Sequence, residues 1–405
     1  MMNITKAVID RLTTPEKKQQ GRTEQKRYYD SKLKGFGIRI TSGGTKSFFI
    51  EKLINRRLKR ITIGHYPAIT SEQARKEAHK LLGKIATGID PLAEKKIEKI
   101  KKVTLQEVFT DYIAARKDLK SSSITDYQKG LKQVIPDWLD KPILNITKDM
   151  IAKRHAHHGE TISKSRSNLS MRVLRALFNF AMHQYETDNG NSIIQTNPVN
   201  FLSHARSWYR IERKQSLIKS HQLYDWYKGL MELNKYYSKS QAEMWRDYFL
   251  LVLFSGKRRQ EVASLHWKDI DFEGKTFTSH DTKNGNSHIL PMSDFIHEIF
   301  LRRETMRNGN YVFPANSNLG YIVEPRKAMQ KIIDHSAVEF TVHDLRRTFI
   351  TTAESLDISA YALKRLLNHS TENDVTSGYL IIDVERLRKP MQQISEHFLK
   401  QMQLA

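Results

Sequence analysis

The sequence contains no cysteine, and that single absence removes several kinds of chemistry. Disulfide bonds, a thiol nucleophile and a cysteine-ligated zinc site are all excluded. Long apolar runs are also missing, since no stretch approaches the roughly 18 residues that a membrane-spanning helix needs. Residues 1–12 include Lys6, Asp10 and Arg11 and lack the apolar run of a secretory signal. We therefore expect an intracellular, cytoplasmic protein that has no membrane partner.

Positive charge is what the sequence has in excess. Lys and Arg number 67 against 44 Asp and Glu, which gives a formal net charge of +23 over 405 residues. Residues 1–100 alone hold 23 basic and 10 acidic side chains. Such an excess is typical of proteins that bind a polyanion. A generically basic protein, for example a ribosomal accessory factor, would carry the charge without ordered catalytic motifs.

The first hundred residues predict a small antiparallel sheet followed by a helix. Apolar residues alternate at 35–40, strand-like runs follow at 47–50 and 60–64, and turn residues separate these runs. Thr70 and Gln73 have the spacing of a capping box, which predicts a helix that ends before residue 88. The basic side chains here either contact phosphates or form an ordinary solvated face. The candidates for phosphate contact are Arg39, Lys46, Arg56, Arg57 and Lys59.

A helical bundle is predicted over residues 104–205. A charge-dense stretch at 94–102 indicates a linker, and Thr104 with Glu107 then forms a second capping box. Helical patterns follow at 123–139, 147–155 and 162–185. Three basic residues of the bundle are candidate phosphate contacts, although a solvated surface explains them equally well: Lys164, Arg166 and Arg172.

Histidines at 155, 157 and 158 could suggest a metal site in this bundle. Zinc needs partners in a defined geometry. Neither a His-Glu-x-x-His motif nor a nearby carboxylate pattern accompanies these histidines. We therefore expect no metal there.

The last third of the chain carries an ordered set of polar residues. Arg258 lies in Ser-Gly-Lys-Arg-Arg-Gln-Glu, and His343 and Arg346 lie in His-Asp-Leu-Arg-Arg-Thr. Leu-Leu-Asn-His ends at His369, ten residues before Tyr379. Such a set can break a phosphodiester without a metal, because arginines hold the non-bridging oxygens, histidines exchange protons and the phenol attacks. The i, i+3 spacing places His343 and Arg346 on one helical face.

Helices and a hairpin are predicted around these residues. The helix at 243–254 ends at the Ser-Gly turn that presents Arg258. Strands at 276–279 and 288–291 flank an Asn-Gly pair, which is a strong tight-turn signal, and Lys283 lies beside it. A final helical pattern covers 384–402, within which Pro390 indicates a break.

Two tyrosines compete for the role of nucleophile. Tyr361 lies in a pattern typical of a packed helix, where it would be a core aromatic. Tyr379 follows Ser-Gly in a polar stretch, where a nucleophile can move. Tyr379 is therefore the better candidate.

These motifs, in this order, resemble those of the tyrosine recombinases, the phage-integrase family. The N-terminal Gly-Phe-Gly, Ile-Gly-His-Tyr-Pro and Gly-Ile-Asp-Pro pieces resemble the arm-binding domain of satellite-phage-type integrases. The resemblance covers nearly the whole chain and is strongest over 248–380. The sequence departs from the family pattern at Ser255, Lys257, Gln260 and Asn368, and none of these changes removes a catalytic group.

The resemblance implies a multidomain α+β fold. Its parts are a small N-terminal antiparallel sheet with a helix, a central helical bundle, and a mainly helical catalytic domain with a small β-hairpin sheet. The implied boundaries are an arm-type DNA-binding domain at 1–93, a charged linker at 94–103, a core-binding domain at 104–205, a catalytic domain at 214–390 and a C-terminal tail at 391–405.

The resemblance also implies a mechanism. Tyr379 would attack the scissile phosphate to give a 3′-phosphotyrosyl link, while Lys283 would protonate the leaving 5′ oxygen. His343 would exchange the phenol proton and His369 would hydrogen-bond a non-bridging oxygen. Because the covalent intermediate conserves the bond energy, the reaction needs no ATP, metal or other cofactor. Glu261 is expected to support the site, and Asp344 to be a helix-end carboxylate.

The implied function is integration, and assisted excision, of a prophage, genomic island or other mobile element. Implied partners are double-stranded DNA with core and arm sites, a homotetramer on DNA, a host DNA-bending protein and an excision factor, at the nucleoid. The C-terminal segment would dock on a neighbouring protomer. Two alternatives stay open: a type IB topoisomerase, which would relax any supercoiled plasmid, and a catalytically inactive DNA-binding relative, for which no catalytic residue is missing.

Overall fold

The computed structural model describes residues 1–15, 24–54, 57–187, 190–280, 287–368 and 384–404. Within these ranges the chain forms two compact units, Met1–Glu212 and Arg213–Ala405. The small antiparallel sheet, the helical bundle and the mainly helical region with a second small sheet are all present. The predicted α+β fold class is therefore confirmed.

A four-stranded antiparallel sheet lies at the start of the first unit, with strand order β1-β2-β3-β4. One face of it packs against apolar side chains of two helices. These elements are α1 (Lys6–Arg11), β1 (Gln25–Tyr29), β2 (Phe36–Thr41), β3 (Lys46–Ile54), β4 (Arg57–Tyr66) and α2 (Ser71–Ala86). The three predicted strands are β2 to β4. β1 is an additional strand whose pattern is weak, because it is an edge strand and only Tyr28 packs on the core.

Side-chain caps set the helix starts in this region. Thr70 and Gln73 form the predicted capping box of α2, and the small Ala74 and Ala78 let α2 lie close to the sheet. Asp90 caps the next helix, α3 (Pro91–Lys101), by accepting hydrogen bonds from the backbone of residues 92 and 93. The stretch predicted as a charged linker is thus helical as far as Lys101.

The helical bundle has a separate apolar core. Its first helix begins at the predicted capping box of Thr104 and Glu107. The helices are α4 (Leu105–Ala115), α5 (Ser121–Val134), α6 (Lys148–His158), α7 (Lys164–Gln184) and α8 (Phe201–His204). A π-helical turn at Gly159–Ser163 joins α6 to α7.

His155 belongs to the packing of this bundle. Its ring is buried, stacks on Tyr209 at a centroid distance of 4.8 Å and meets Trp208 at 5.6 Å. Nε2 lies 2.9 Å from Oδ1 of Asn168, whose Nδ2 donates to the Tyr209 carbonyl. These contacts account for the histidine and tie residues 208 and 209 to the bundle.

The second unit is built around the second half of α10, where residues 247–255 are buried and the run 248–254 is apolar on every side. Such a helix must be covered all round, and helices α12, α14 and α16 pack against it. The elements of this unit are α9 (Leu223–Met231), α10 (Lys239–Ser255), α11 (Arg259–Ala263), β5 (Ile270–Asp271), β6 (Thr276–Ser279), β7 (His288–Pro291), α12 (Asp294–Thr305), α13 (Arg326–Ser336), α14 (Val342–Ser355), α15 (Ala360–Leu366) and α16 (Glu385–Gln401).

A three-stranded sheet of order β5-β6-β7 flanks these helices. The predicted hairpin strands pair as β6 and β7, with Ser279 opposite His288. The Asn-Gly turn between them lies outside the described residues.

The C-terminal helix differs from the prediction. α16 continues through Pro390, and Met391, Ile394 and Phe398 are buried in the same core as α10. A proline costs one backbone hydrogen bond and introduces a clash, but burial of this apolar face keeps the helix intact. A separate tail that begins at residue 391 does not match this packing. Among the described helices, none is long and apolar enough to span a membrane.

Candidate active site

The turn after α10 strongly favours glycine. Gly256 has φ +61°, a left-handed conformation that other residues adopt at a cost. A Cβ at this position would also lie 2.4 Å from the Phe349 ring on α14. The chain therefore reverses tightly against α14 and brings residues 257 and 258 beside the start of that helix.

Arg258 is oriented by Glu261. The Arg258 N–H donates to Glu261 Oε2 at 3.0 Å, and its Nη1 donates to Oε1 at 2.8 Å. Glu261 is nearly buried, whereas Arg258 keeps about a quarter of its side chain exposed. One carboxylate thus caps α11 and fixes one edge of the guanidinium, in agreement with the supporting position expected of Glu261.

A buried carboxylate organises the start of α14. Asp344 Oδ2 accepts hydrogen bonds from the Thr341 N–H and hydroxyl, both at 2.8 Å, and Oδ1 accepts one from Ser216 Oγ at 2.9 Å. Arg347 forms an ion pair with it. Burial alone would raise the pKa of Asp344, but these hydrogen bonds and Arg347 lower it below its ordinary value. Asp344 is the helix-end carboxylate that the sequence predicts.

Arg346, one helical turn beyond His343, reaches across the unit with both terminal nitrogens. Nη1 donates to the Gly256 carbonyl at 2.6 Å and Nη2 to the Leu367 carbonyl at 2.8 Å. Burial and the nearby Arg258 lower the pKa of Arg346 to about 10. It therefore remains charged at neutral pH.

Arg258, His343 and Arg346 line one open cleft of about 340 Å³, together with Lys257, Arg259, Gln260 and Val342. His343 is exposed at this cleft. Partial burial of its ring and the positive charges of Arg347, Arg346 and Arg258 lower its pKa, although Asp344 opposes them. His343 is therefore neutral at pH 7 and can accept a proton. The cleft combines two fixed cations with a neutral base, which suits an anionic phosphodiester.

The structure brings three of the six predicted catalytic residues together. Lys283, His369 and Tyr379 lie outside the described residues, and so does Arg56 among the candidate DNA contacts. The last described residue before His369 is Asn368, which directly follows the carbonyl that Arg346 contacts.

Lys257 is a residue whose environment the sequence did not indicate. It is 0% exposed, and its Nζ lies 3.2 Å from Nδ1 of His288 on β7. Burial first, and then the charges of Arg346 and Arg258, lower its pKa to about 7, although Glu261 opposes them. A lysine beside a solvated arginine looks like surface in the sequence, so no local signal marks its burial.

The sheet of the first unit carries charged side chains on the face opposite its core. Arg27 on β1 and Arg39 on β2 are directly opposed in register on this face. Like charges directly opposite each other destabilise an antiparallel pair, and Arg39 Nε has no hydrogen-bond partner in the described part of the chain. Glu51 on the same face pairs with Arg60 and also lies near Arg27. The opposed arginines, rather than the whole face, are therefore suited to an anion. Arg27 was absent from the predicted set because β1 itself was not recognised.

The other candidate DNA contacts divide into two groups. Lys46 donates to the Ile9 carbonyl at 2.6 Å, Lys59 pairs with Asp90 at 2.6 Å, and Arg166 pairs with Asp126 at 2.9 Å. These three have internal partners. Arg57 and Arg172 are exposed, and the Lys164 ammonium lies 5.8 Å from the centre of the Tyr209 ring.

Two protein-family models match the chain. An arm DNA-binding domain matches residues 4–98, and the phage integrase family matches residues 225–386. Together they span more than half of the chain. The chain belongs to the phage integrase family of tyrosine recombinases, and it is accordingly a site-specific DNA recombinase.

Curated relatives agree over most of the chain. The prophage integrase IntF of Escherichia coli K12 is 24% identical over 442 residues, which cover 97% of this chain and 90% of that protein. The integrase of Shigella phage Sf6 is 22% identical and covers 85% of this chain and 88% of its own length.

Solved structures of integrases share the fold. A lambda integrase tetramer bound to a Holliday junction has a TM-score of 0.54 at 18% identity, covering 88% of this chain and 98% of that one. The Tn1549 transposon integrase in complex with circular intermediate DNA has a TM-score of 0.52 at 18% identity, covering 70% and 98%. At these identities the likeness concerns the fold.

Proposed function

We propose that this chain integrates a mobile DNA element, such as a prophage or genomic island, into a chromosomal site and also excises it. Its substrate is double-stranded DNA with core and arm attachment sites, on which it acts as a homotetramer. It works in the cytoplasm, at the nucleoid, with a host DNA-bending protein and an excision factor as further partners. The domain boundaries are those of an arm-type domain, a core-binding bundle and a catalytic domain.

The convergence of Arg258, His343 and Arg346 on one cleft carries this proposal. Arg258 comes from the turn after α10 and the other two come from α14, 85 and 88 positions further along the chain. A guanidinium binds two phosphate oxygens in a fixed plane. Two backbone carbonyls hold the Arg346 guanidinium in place. Its positive charge therefore lines the cleft before DNA binds, and little side-chain entropy is lost on binding.

The reaction assigned to this cleft is two successive phosphoryl transfers. The Tyr379 oxygen attacks the scissile phosphorus, the bond from phosphorus to the 5′ oxygen breaks, and Lys283 protonates that oxygen. The neutral His343 takes the phenol proton. The 5′ hydroxyl of a partner strand then attacks the phosphotyrosine and releases Tyr379. Each step exchanges one phosphoester for another, so no external energy source enters.

Positive charge stabilises the pentacoordinate phosphorus in this proposal. Arg258 and Arg346 contact its non-bridging oxygens, and His369 donates a third hydrogen bond. An ordinary tyrosine has a pKa of about 10. The same cations favour the phenolate, so they assist the attacking group as well as the transition state.

The charged face of the N-terminal sheet, opposite its core, is the proposed arm-DNA contact. Arg27 and Arg39 lie side by side there, and Arg57 is exposed at the start of β4. Bound phosphates would remove the repulsion between the two opposed arginines. Arg172 and Lys164 on α7 are the proposed contacts of the bundle with core DNA.

Trapping of the covalent intermediate tests this function. The substrate is DNA that spans the junctions flanking this gene in its source genome. A nick near the cleavage site lets the short fragment with the free 5′ hydroxyl dissociate, so that the reaction cannot reverse. Wild-type protein should form an adduct that survives SDS, and peptide mapping should place it on Tyr379. Tyr379→Phe should bind the DNA with unchanged affinity and form no adduct. Tyr361→Phe is the matched control and should cleave normally.

The possible outcomes separate the proposed function from its alternatives. An adduct restricted to junction DNA supports a site-specific integrase. An adduct on any supercoiled DNA, with relaxation of that DNA, indicates a topoisomerase. Tight binding with no adduct on any junction substrate contradicts the proposal.

A further inference from the structure

Lys257 is a fully buried cation in a place where an apolar side chain would fit. Its neighbours include the positive Arg258 and Arg346 and the negative Glu261. Burying an ammonium is costly, whereas a methionine of similar length would fill this space at no such cost. Since this buried side chain lowers stability and is adjacent to Arg258, we expect it to have a role that requires its amino group.

The contacts of Lys257 form a directed chain of hydrogen bonds. His288 Nε2 lies 2.8 Å from the Arg365 carbonyl, which can only accept, so Nε2 must carry the hydrogen. In the neutral ring Nδ1 is then the acceptor, and it receives a hydrogen bond from Lys257 Nζ at 3.2 Å. Nζ also lies 3.3 Å from the His288 carbonyl and 5.3 Å from the centre of the Phe277 ring.

Two side-chain connections therefore join the turn after α10 to the carboxyl end of α15. Arg346 connects the Gly256 carbonyl to the Leu367 carbonyl. Lys257, the residue after Gly256, connects through His288 to the Arg365 carbonyl. Carbonyls in the last turn of a helix lack the usual i+4 donor, so side-chain donors can bind them. The Arg365 carbonyl accepts the Asn368 N–H at 3.2 Å in addition to the His288 ring. The turn that presents Arg258 is thus held to the end of α15 at two points.

We propose that Lys257 and His288 are positioning residues for DNA cleavage, which hold the Arg258 turn against the carboxyl end of α15. The proposal rests on the proposed function, because it assigns these residues to the same reaction. Neither side chain needs to touch DNA. Displacement of a catalytic group by about 1 Å can reduce a rate roughly a hundredfold, so loss of the bridge should slow cleavage and leave DNA binding intact.

A set of substitutions in the full-length chain tests the pair. Lys257→Met and His288→Phe remove the bridge. Methionine is similar in length to lysine, and phenylalanine keeps an aromatic ring, although a larger one. Each change should lower the rate of adduct formation about 10- to 100-fold. The double variant should be no slower than the slower single variant, because both substitutions break the same connection. His288→Gln keeps one donor and one acceptor, so it should restore the rate to within about threefold of wild type. Lys268→Met, at an exposed lysine, is the control and should cleave normally.

The melting temperature measured against pH supplies a second readout. It would not depend on residue 257 if that side chain were uncharged and only filled space. The pKa of Lys257 is about 7 in the folded chain, and its ordinary value is 10.5. The folded state is therefore penalised below pH 7, and the penalty is relieved as pH rises toward 10.5. The melting temperature of wild type relative to Lys257→Met should rise between pH 6 and pH 9. The control Lys268→Met should show no such change.

Several results would overturn the inference. One is a folded Lys257→Met or His288→Phe variant that cleaves at the wild-type rate. Others are a double variant in which the two single effects multiply, and a His288→Gln variant that is as slow as His288→Phe. If Lys257→Met does not fold, the two His288 variants decide. Wild-type protein that forms no adduct contradicts the proposed function and with it the positioning role, whereas wild-type cleavage with unaffected variants contradicts only the positioning role.

Discussion

Truncation of Asp344 to alanine should destabilise the catalytic unit more than any surface change on a comparable helix. The carboxylate is 1% exposed and accepts hydrogen bonds from the Thr341 N–H, the Thr341 hydroxyl and the Ser216 hydroxyl, besides its ion pair with Arg347. A hydrogen bond to a charged group contributes about 1.5–3 kcal/mol. Because the hydroxyls can turn to water after truncation, we expect the loss of one or two such bonds, about 3 kcal/mol.

Calorimetry of the full-length chain measures this loss. For a unit of this size, 1 kcal/mol shifts the melting temperature by about 2–4 °C, so the transition should fall by about 6–12 °C. Asp344→Asn keeps the shape and one acceptor and should lose roughly half as much. The matched control is Asp334→Ala on α13, where the carboxylate is exposed and pairs with Lys331 at 3.7 Å. That change should stay within about 0.5 kcal/mol.

The pH dependence of this prediction has a definite sign. The folded pKa of Asp344 lies below the ordinary 3.8. A carboxylate of this kind contributes stability above its unfolded pKa and loses it as pH falls through the folded value. The difference between wild type and Asp344→Ala should therefore be constant from pH 6 to pH 8 and shrink only in acid. Melting of Asp344→Ala like the Asp334→Ala control would refute the reasoning.

Three further changes test other parts of the molecule. In wild type, the cleavage rate at limiting DNA concentration should fall as pH drops through the His343 pKa, which lies below 6.5. His343→Gln should slow cleavage and remove this fall in acid. Gly159→Ala should destabilise the bundle by about 1–3 kcal/mol in urea unfolding, because the new Cβ would lie 2.0 Å from the Tyr209 ring. Replacement of Arg27 and Arg39 by glutamine should weaken arm-DNA binding and reduce the slope of log affinity against log salt by about 2.

Each of these changes has a control. His221→Gln, at an exposed histidine, should leave the pH profile intact. Gly83→Ala should stabilise α2, because no atom lies within 4 Å of its Cβ and alanine favours helix. Lys80→Gln on α2 should not change the salt slope as the arginine pair does. A rate that still falls in acid for His343→Gln, a Gly159→Ala bundle as stable as wild type, or an unchanged salt slope would contradict the respective prediction.

Local features of the fold follow from short stretches of sequence. The capping boxes at Thr70 and Thr104 start helices where their spacing predicts, because the side chain and the backbone donors that it satisfies are three residues apart. The hairpin strands β6 and β7 pair as the sequence predicts. β1 and the path of α16 through Pro390 were less predictable, since packing against distant residues outweighs a weak or contrary local pattern.

The sequence by itself determined which chemical groups are present and which of them share a helical face. His343 and Arg346 lie on one side of α14 because a helix repeats every 3.6 residues. Only the tertiary structure decided what surrounds them. Arg346 bonds to carbonyls 90 and 21 residues away, and Lys257 is buried against His288, 31 residues away. Such contacts depend on how distant segments pack, and no pattern in the residues next to Lys257 distinguishes a buried amine from a solvated one.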